Sequence, residues 1–171
     1  RKGLSFDFQA VGTSGLDLWM DRGRFRMLVA NLVRNAIRYT QIGGVQLYLK
    51  ASPAASPGRY RIEVRVIDTG VGIREADQAG IFAPYARGRD ALGDGHGLGL
   101  FLSRHITEAM GGSLQLLHSS PNGSEFRLCI EAAVATPADA ATLEGARVLV
   151  VDDDPGMARL LLHILEKNCA R

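Results

Sequence analysis

The spacing of the apolar residues constrains the fold of this chain most strongly, because it switches repeatedly between two periods. Some stretches repeat apolar residues at helical spacing, and others alternate apolar with polar residues, as half-buried strands do. Asp21 is the predicted N-cap of the first helix. Strands are predicted at residues 4–8, 16–20, 45–49, 60–66, 114–116 and 126–130, and helices at residues 25–37, 74–79 and 98–109.

The composition excludes several classes of protein. Of the 171 residues, 46% are hydrophobic and 22% are charged, which is typical of a globular chain. The 20 Lys and Arg residues against 18 Asp and Glu give a net charge of +2, so no nucleic-acid partner is expected. Cys129 and Cys169 share no motif with each other or with a histidine, which argues against a disulfide framework or a zinc site.

Two asparagines lie on the first predicted helix. Asn31 and Asn35 are four residues apart and therefore share one helix face. Because asparagine is a poor helix former, the presence of two asparagines on one helix face requires an explanation. The residues alone leave two interpretations open. The asparagines are either exposed or bonded to the backbone four residues earlier, or their amide oxygens face a cation such as Mg²⁺.

An acidic residue followed by glycines ends the fourth predicted strand, in the sequence Asp68-Thr69-Gly70-Val71-Gly72. The glycines allow the backbone to pass close to a ligand while the carboxylate points into a pocket. A plain turn after a strand is the alternative for this motif taken alone.

A second glycine motif, Gly95-His96-Gly97-Leu98-Gly99-Leu100, opens the third predicted helix. Backbone amides at a helix N-terminus favour phosphate. The motif does not follow a strand as a Rossmann fingerprint does, and no Walker A sequence is present.

Taken together and in this order, the motifs resemble a known family. The two asparagines, the Asp68 motif, Phe82-Ala83-Pro84-Tyr85 and the glycine motif are similar to the N, G1, F and G2 boxes of sensor histidine kinases. Those boxes define an ATP-binding domain of the superfamily of gyrase, chaperone, histidine kinase and mismatch-repair ATPases. The resemblance extends over residues 1–130, including the opening Lys2-Gly3-Leu4.

The resemblance implies a two-layer α/β sandwich of the Bergerat type, with a mixed, mostly antiparallel sheet under a layer of helices. ATP would lie between the helix that carries Asn31 and Asn35 and the helix that follows Gly97, under a lid formed by residues 86–95. The chemistry would consist mainly of positioning and charge neutralisation with Mg²⁺.

The resemblance also assigns roles to individual residues. Asn35 would hold Mg²⁺ with the phosphates, Asn31 would support it, and Arg87 would reach the terminal phosphate as the third catalytic residue. Asp68 would accept a hydrogen bond from the adenine amine. The remaining nucleotide-binding positions are Arg38, Tyr39, Gly70, Gly72, Ile73, Gly95, Gly97, Leu98 and Gly99. His96 stands in a variable slot of the family and is interpreted as a solvated lid residue.

The end of the chain resembles a second family. The apolar residues 148–151 followed by Asp152 and Asp153 are similar to the first strand and metal-holding carboxylates of a response-regulator receiver domain. Such a fragment would hold metal only within a complete receiver. The expected organisation is an ATP-binding domain at residues 1–131, a linker at 132–145 and a truncated receiver at 146–171, as in a hybrid kinase.

The acceptor of the phosphoryl group is expected outside this chain. None of His96, His105, His118 and His163 is followed by an acidic residue on a helix upstream of the asparagines. The expected partners are therefore ATP, the dimerising helical hairpin of the parent kinase, and a receiver in cis or a separate response regulator.

A cytoplasmic location without direct membrane contact is expected, since no apolar run approaches the ~20 residues of a membrane span. The chain begins at Arg1 rather than Met and is interpreted as a piece of a longer protein, which leaves a membrane anchor in the parent open.

Two other functions remain open within the same superfamily. One is a protein-serine kinase or anti-sigma factor, against which the receiver-like end of the chain argues. The other is a nucleotide-binding module that regulates a partner without phosphoryl transfer, against which Asn35, Asp68 and the glycine loops argue. A gyrase-like hydrolase would need a catalytic glutamate in the region where Asn31 stands.

Overall fold

The computed structural model describes residues 2–86 and 97–135. Within these ranges the chain forms a sheet of six strands and three helices, and the elements follow the order that the apolar spacing predicts. They are β1 (Ser5–Val11), β2 (Leu18–Trp19), α1 (Arg22–Tyr39), β3 (Gly44–Pro53), β4 (Arg59–Asp68), α2 (Glu75–Gln78), α3 (Gly99–Ala109), β5 (Ser113–Ser120) and β6 (Gly123–Val134).

The strands form one mixed sheet. Its order is β1-β3-β4-β6, and both β5 and β2 pair with the far side of β6. β1 runs parallel to β3, whereas every other pair among the described strands is antiparallel. The predicted fold class, a two-layer α/β sandwich with a mostly antiparallel sheet, is thereby confirmed.

The alternation of buried residues in the central strand β4 defines the face of the sheet that the helices cover. Ile62, Val64 and Val66 are buried, and their neighbours along the strand are partly exposed or exposed. α1 packs over β3 and β4, and α3 packs over β5 and β6. Because the side-chain period of a strand is two residues, Asp68 lies on the same, covered side of the sheet.

Both ends of α1 are defined by local hydrogen bonds. Asp21 caps the N-terminus as predicted, since its Oδ1 accepts a hydrogen bond from the backbone N–H of Arg24 at 2.9 Å. At the other end Thr40 leaves the helical conformation, and its Oγ1 donates to the Ala36 carbonyl at 2.7 Å.

The structure departs from the sequence prediction at the edges of the sheet. β1 is exposed along its whole length rather than half-buried, and Phe6 and Phe8 are 41% and 37% exposed, because β1 is the edge strand beyond β3. β2 is limited to two residues. β6 continues to Val134, past residue 131 where the sequence placed the end of the domain, because Val134 pairs with Leu18 of β2.

Residues up to Val134 form one compact unit. No helix in the described part of the chain is long and apolar enough to cross a membrane. Most of the predicted linker and the whole predicted receiver fragment lie outside the described residues.

Two truncations test where the domain ends. We expect a chain that stops at Pro137 to melt within a few degrees of the full chain, because all strands of the compact unit are retained. A chain that stops at Glu131 should melt at least about 5 °C lower, since it loses the buried Ala132 and the pairing of Val134 with β2. Thermal unfolding followed by circular dichroism measures both, and equal melting temperatures would place the boundary at residue 131 after all.

Candidate functional site

α1 and α3 meet at a side chain that the sequence analysis selected. The Nδ2 of Asn31 donates a hydrogen bond to the Oγ of Ser103, with 2.8 Å between the two atoms. A Cβ atom on Gly99 would lie 2.7 Å from the Oδ1 of Asn31, so a side chain at that position would require Asn31 to move. The asparagine helix and the helix of the second glycine motif therefore contact each other through a glycine and a buried serine.

The other selected residues of α1 lie on its next turns. Asn35 is half-buried one turn after Asn31, and within the described part of the chain its side chain makes no hydrogen bond. Arg38 and Tyr39 occupy the last turn, and the guanidinium carbon of Arg38 lies 5.8 Å from the centre of the Tyr39 ring. All four side chains are thus carried by the final three turns of one helix.

Asp68 is a buried carboxylate at the end of β4, with 7% of the residue exposed. Its Oδ1 accepts a hydrogen bond from the backbone N–H of Gly70 at 2.8 Å, and the backbone of Ser124 donates a second one. Burial has the largest influence and raises the pKa of Asp68 above its ordinary value, while the two backbone hydrogen bonds oppose this shift.

The loop after Asp68 is held between the end of α1 and the β5–β6 turn. A Cβ on Gly70 would lie 2.5 Å from the carbonyl oxygen of Tyr39, and the N–H of Val71 donates to the same oxygen at 3.3 Å. Further along, Gly72 packs closely against the Ser120 carbonyl. The loop ends where the N–H of Ile73 donates to the Oγ of Ser119 at 2.7 Å.

Gly97 and Leu98 lead into α3. Gly97 has a φ of +68° and lies so close to Tyr85 and Ala86 that a Cβ would be 2.8 Å from the Ala86 carbonyl oxygen. Leu98 is the N-cap residue and makes no side-chain capping hydrogen bond. The start of α3 therefore lies beside Tyr85, the last of the F-box residues. The Leu98 side chain does not cap the first backbone amides of α3.

Four of the residues assigned from the sequence are not placed. Arg87 and Gly95 of the predicted lid, and Asp152 and Asp153 of the predicted receiver fragment, lie outside the described residues, as does His96. Their roles stay predictions.

The sequence analysis did not select several polar residues that support the site. Ser103 and Thr107 are buried on α3, where their four-residue spacing on an otherwise apolar face was the available signal. Ser119 lies within 2.9 Å of Ser124 across the β5–β6 hairpin, oxygen to oxygen, beneath the loop that follows Asp68. Lys2 reaches the end of α1 from before β1, and no local pattern could have indicated such a contact.

The residues present fit ATP and Mg²⁺ in their chemistry. Asp68 supplies a buried carboxylate acceptor, the kind of group that an adenine amine requires. Asn35 supplies an amide oxygen, a hard ligand of the kind that Mg²⁺ shares with phosphate oxygens. Among residues 2–86 and 97–135, no group of three or more His, Cys, Asp or Glu side chains could hold a metal by itself.

The chain matches the profile of a known protein family. Residues 20–134 match the profile of the family described as histidine kinase-, DNA gyrase B-, and HSP90-like ATPase. This range runs from the residue before the N-cap of α1 to the last residue of β6. It therefore contains every candidate site residue that the structure describes.

Several curated proteins are similar in sequence. The chain is 34% identical over 171 residues to the sensor histidine kinase AruS of Pseudomonas aeruginosa, a match that covers 90% of the chain and 17% of AruS. It is 36% identical over 168 residues to the virulence sensor protein BvgS of Bordetella bronchiseptica, with 88% and 13% covered. The chain thus spans less than a fifth of the length of these relatives.

Two solved structures share the fold. The crystal structure of full-length ShkA in complex with AMPPNP aligns with a TM-score of 0.61 at 30% identity, covering 99% of this chain and 33% of ShkA. The mycobacterial sensor histidine kinase MprB aligns with a TM-score of 0.58 at 19% identity, covering 77% of this chain and 84% of MprB. The second likeness concerns the fold alone.

The raised pKa of Asp68 predicts a specific dependence of stability on pH. The relevant pH window begins at about pH 4, the ordinary pKa of an aspartate, and ends at the higher pKa that Asp68 has in the folded protein. Within this window, Asp68 binds more protons in the folded protein than in the unfolded chain. The contribution of Asp68 to stability is therefore fully present below this window and is lost as the pH rises through it.

We expect the free energy of unfolding of Asp68→Asn, measured relative to the wild type, to increase as the pH rises through that window. The amide that replaces the carboxyl group does not titrate, so the variant does not lose stability through this group as the pH rises. Urea unfolding of both proteins at several values between about pH 4 and pH 7 measures the difference. A difference that stays constant with pH would mean that the folded and unfolded carboxyl groups have the same pKa.

Proposed function

Because the chain belongs to the family of histidine kinase-, DNA gyrase B- and HSP90-like ATPases, we propose that it is the ATP-binding catalytic domain of a hybrid sensor histidine kinase. The observation that carries the proposal is the arrangement of Asp68 and Asn31. A buried carboxylate ends β4 on the helix-covered side of the sheet, and the asparagine helix is joined to α3 above that sheet. Similarity to named histidine kinases supports the same conclusion.

The adenine end of the site is built around Asp68. In the proposal, its carboxylate accepts a hydrogen bond from the exocyclic amine of the base, which selects adenine over guanine because guanine carries an oxygen at that ring position. Gly70, Gly72 and Ile73 allow the base to lie against the backbone of the loop. The buried carboxylate of Asp68, which the N–H of Gly70 holds at 2.8 Å, supports this assignment.

The phosphate end lies toward α3 in the proposal. The backbone amides of Gly97 and Leu98, and of Gly99 at the start of α3, face the phosphates together with Gly95. The positive end of the helix dipole adds to the attraction. Arg38 and Tyr39 flank the nucleotide from α1, and Arg87 reaches the terminal phosphate.

Asn35 is the proposed magnesium ligand, and Asn31 is the residue that supports it. The ion, when bound, neutralises charge on the phosphate oxygens. The proposed role of Asn31 is to hold α1 against α3. Its hydrogen bond to Ser103 supports this role. Asn35 is then left to face the phosphates with its amide oxygen.

The phosphoryl acceptor is a histidine on a separate dimerising helical hairpin of the parent kinase, and a receiver domain in cis or a separate response regulator takes the group further. We assign to the ATP-binding domain the expected residues 1–131 together with residues 132–134, the last residues of β6. The remaining part of the expected linker, residues 135–145, follows. We assign residues 146–171 to a truncated receiver in which Asp152 and Asp153 would hold metal once it is complete. The parent protein works at the cytoplasmic side and is regulated by a sensor segment elsewhere in its chain.

Substitution of Asp68 tests the adenine assignment. We expect the wild-type chain to bind Mg-ATP with a Kd of roughly micromolar to sub-millimolar size. Asp68→Asn should bind about tenfold or more weakly, because an amide can present a donor where an acceptor is needed. Asp17→Asn, the same change at an exposed loop position, is the matched control and should bind as the wild type does. Calorimetry that gives all three chains the same affinity would remove Asp68 from the site.

Labelling with γ-phosphate tests the catalytic role. We expect no stable label on the isolated chain, because the acceptor histidine lies elsewhere, and slow labelling of the parent's helical hairpin when it is added in trans. Asn35→Ala should abolish that transfer, whereas Asn122→Ala, in the exposed β5–β6 turn, should leave it unchanged. Acid-labile label on the chain alone would show that the acceptor is one of its own histidines.

A further inference from the structure

Lys2 contacts the C-terminal end of α1. Its Nζ donates hydrogen bonds to the carbonyl oxygens of Ile37 at 3.0 Å, Arg38 at 2.7 Å and Thr40 at 3.1 Å. A lysine ammonium has three N–H donors, and all three are used here. The contact spans 35 to 38 residues of sequence, so it belongs to the tertiary structure rather than to the helix itself.

The end of a helix needs such partners because its last carbonyls have none within the helix, and because it carries the negative end of the dipole. In α1 the Ala36 carbonyl accepts from the backbone N–H and the Oγ1 of Thr40. The Tyr39 carbonyl accepts from the N–H of Val71. The two carbonyls between them accept from Lys2. The last turn is thus held by the lysine and by the loop after Asp68.

This shared turn connects Lys2 to the nucleotide site. The Tyr39 oxygen that accepts from Val71 is also the atom nearest to the position that a Cβ on Gly70 would occupy. The N–H of Gly70 in turn holds the Asp68 carboxylate. A displacement of the last turn of α1 therefore displaces the loop that fixes Asp68.

We propose that Lys2 is a positioning residue for nucleotide binding. The proposal rests on the function proposed above, in which Arg38 and Tyr39 flank the nucleotide and Asp68 receives the base. Lys2 does not touch the nucleotide. Its ammonium group holds the carbonyls of the last turn of α1. This turn then sets the positions of the Arg38 and Tyr39 side chains and of the loop beside Asp68.

Lys2→Met is the direct test, since it keeps the length and apolar stem of the side chain and removes the charge and all three donors. We expect the Kd for Mg-ATP, measured by calorimetry well below the melting temperature, to rise about three- to tenfold. Lys50→Met, the same change at an exposed position of β3, is the matched control and should stay within about twofold of the wild type. Ile62→Val, in the core at the far end of β4 from Asp68, controls for a general loss of stability and should also keep its affinity.

Amide hydrogen exchange without nucleotide gives a second readout. We expect the Val71 amide, which bonds the Tyr39 carbonyl, to exchange faster in Lys2→Met than in the wild type or in Ile62→Val. If the wild type binds ATP and Lys2→Met shows neither weaker binding nor faster exchange, Lys2 has no positioning role. If Ile62→Val weakens binding as much as Lys2→Met does, the effect is one of stability, which also overturns the proposal. A wild-type chain that does not bind ATP contradicts the proposed function itself and is recognised before any variant is compared.

Discussion

The burial of the Asp68 carboxylate is the constraint around which the site is built. β4 must turn Ile62, Val64 and Val66 toward the helices to form the core, and its two-residue period turns Asp68 the same way. A carboxylate in such a place is unfavourable unless hydrogen bonds replace its water. The chain provides two from its backbone, one from Gly70 and one from Ser124. Gly70 must therefore fold back over the strand end, and this requirement brings the loop against the last turn of α1.

α1 contacts two different partners, and this explains its mixed composition. One side carries Leu28, Leu32, Val33 and Ala36 into the core, and another carries Asn31 toward α3. An asparagine in a helix is unfavourable by propensity, but here its amide is bonded to Ser103 and packed against Gly99. Of the two asparagines that were conspicuous in the sequence, Asn31 joins the two helices.

The sequence predicted the local structure well, because local structure follows from the spacing of apolar residues and from capping residues such as Asp21. It was wrong about the burial of β1, since strand alternation does not tell whether a neighbouring element covers the strand. It also missed Lys2, Ser103 and Ser119 as supporting residues. The hydrogen bonds of these three side chains with Ile37, Asn31 and Ile73 link positions 35 to 72 residues apart, and only the tertiary fold determines which positions meet.

The described parts of the site are positioned by contacts within the protein. Asn31 is fixed by Ser103, Asp68 by Gly70, and Gly97 by its packing against Tyr85 and Ala86. Two of these three contacts use backbone atoms of a glycine, where a side chain would separate the partners. A ligand that binds between such preformed elements loses less free energy to ordering the protein than one that must assemble them. The C-terminal end of α1 depends on one charged group that is distant in the sequence, the ammonium of Lys2. Carbonyls of the last turn of α1 accept hydrogen bonds from Lys2, and the Tyr39 carbonyl accepts one from the loop beside Asp68.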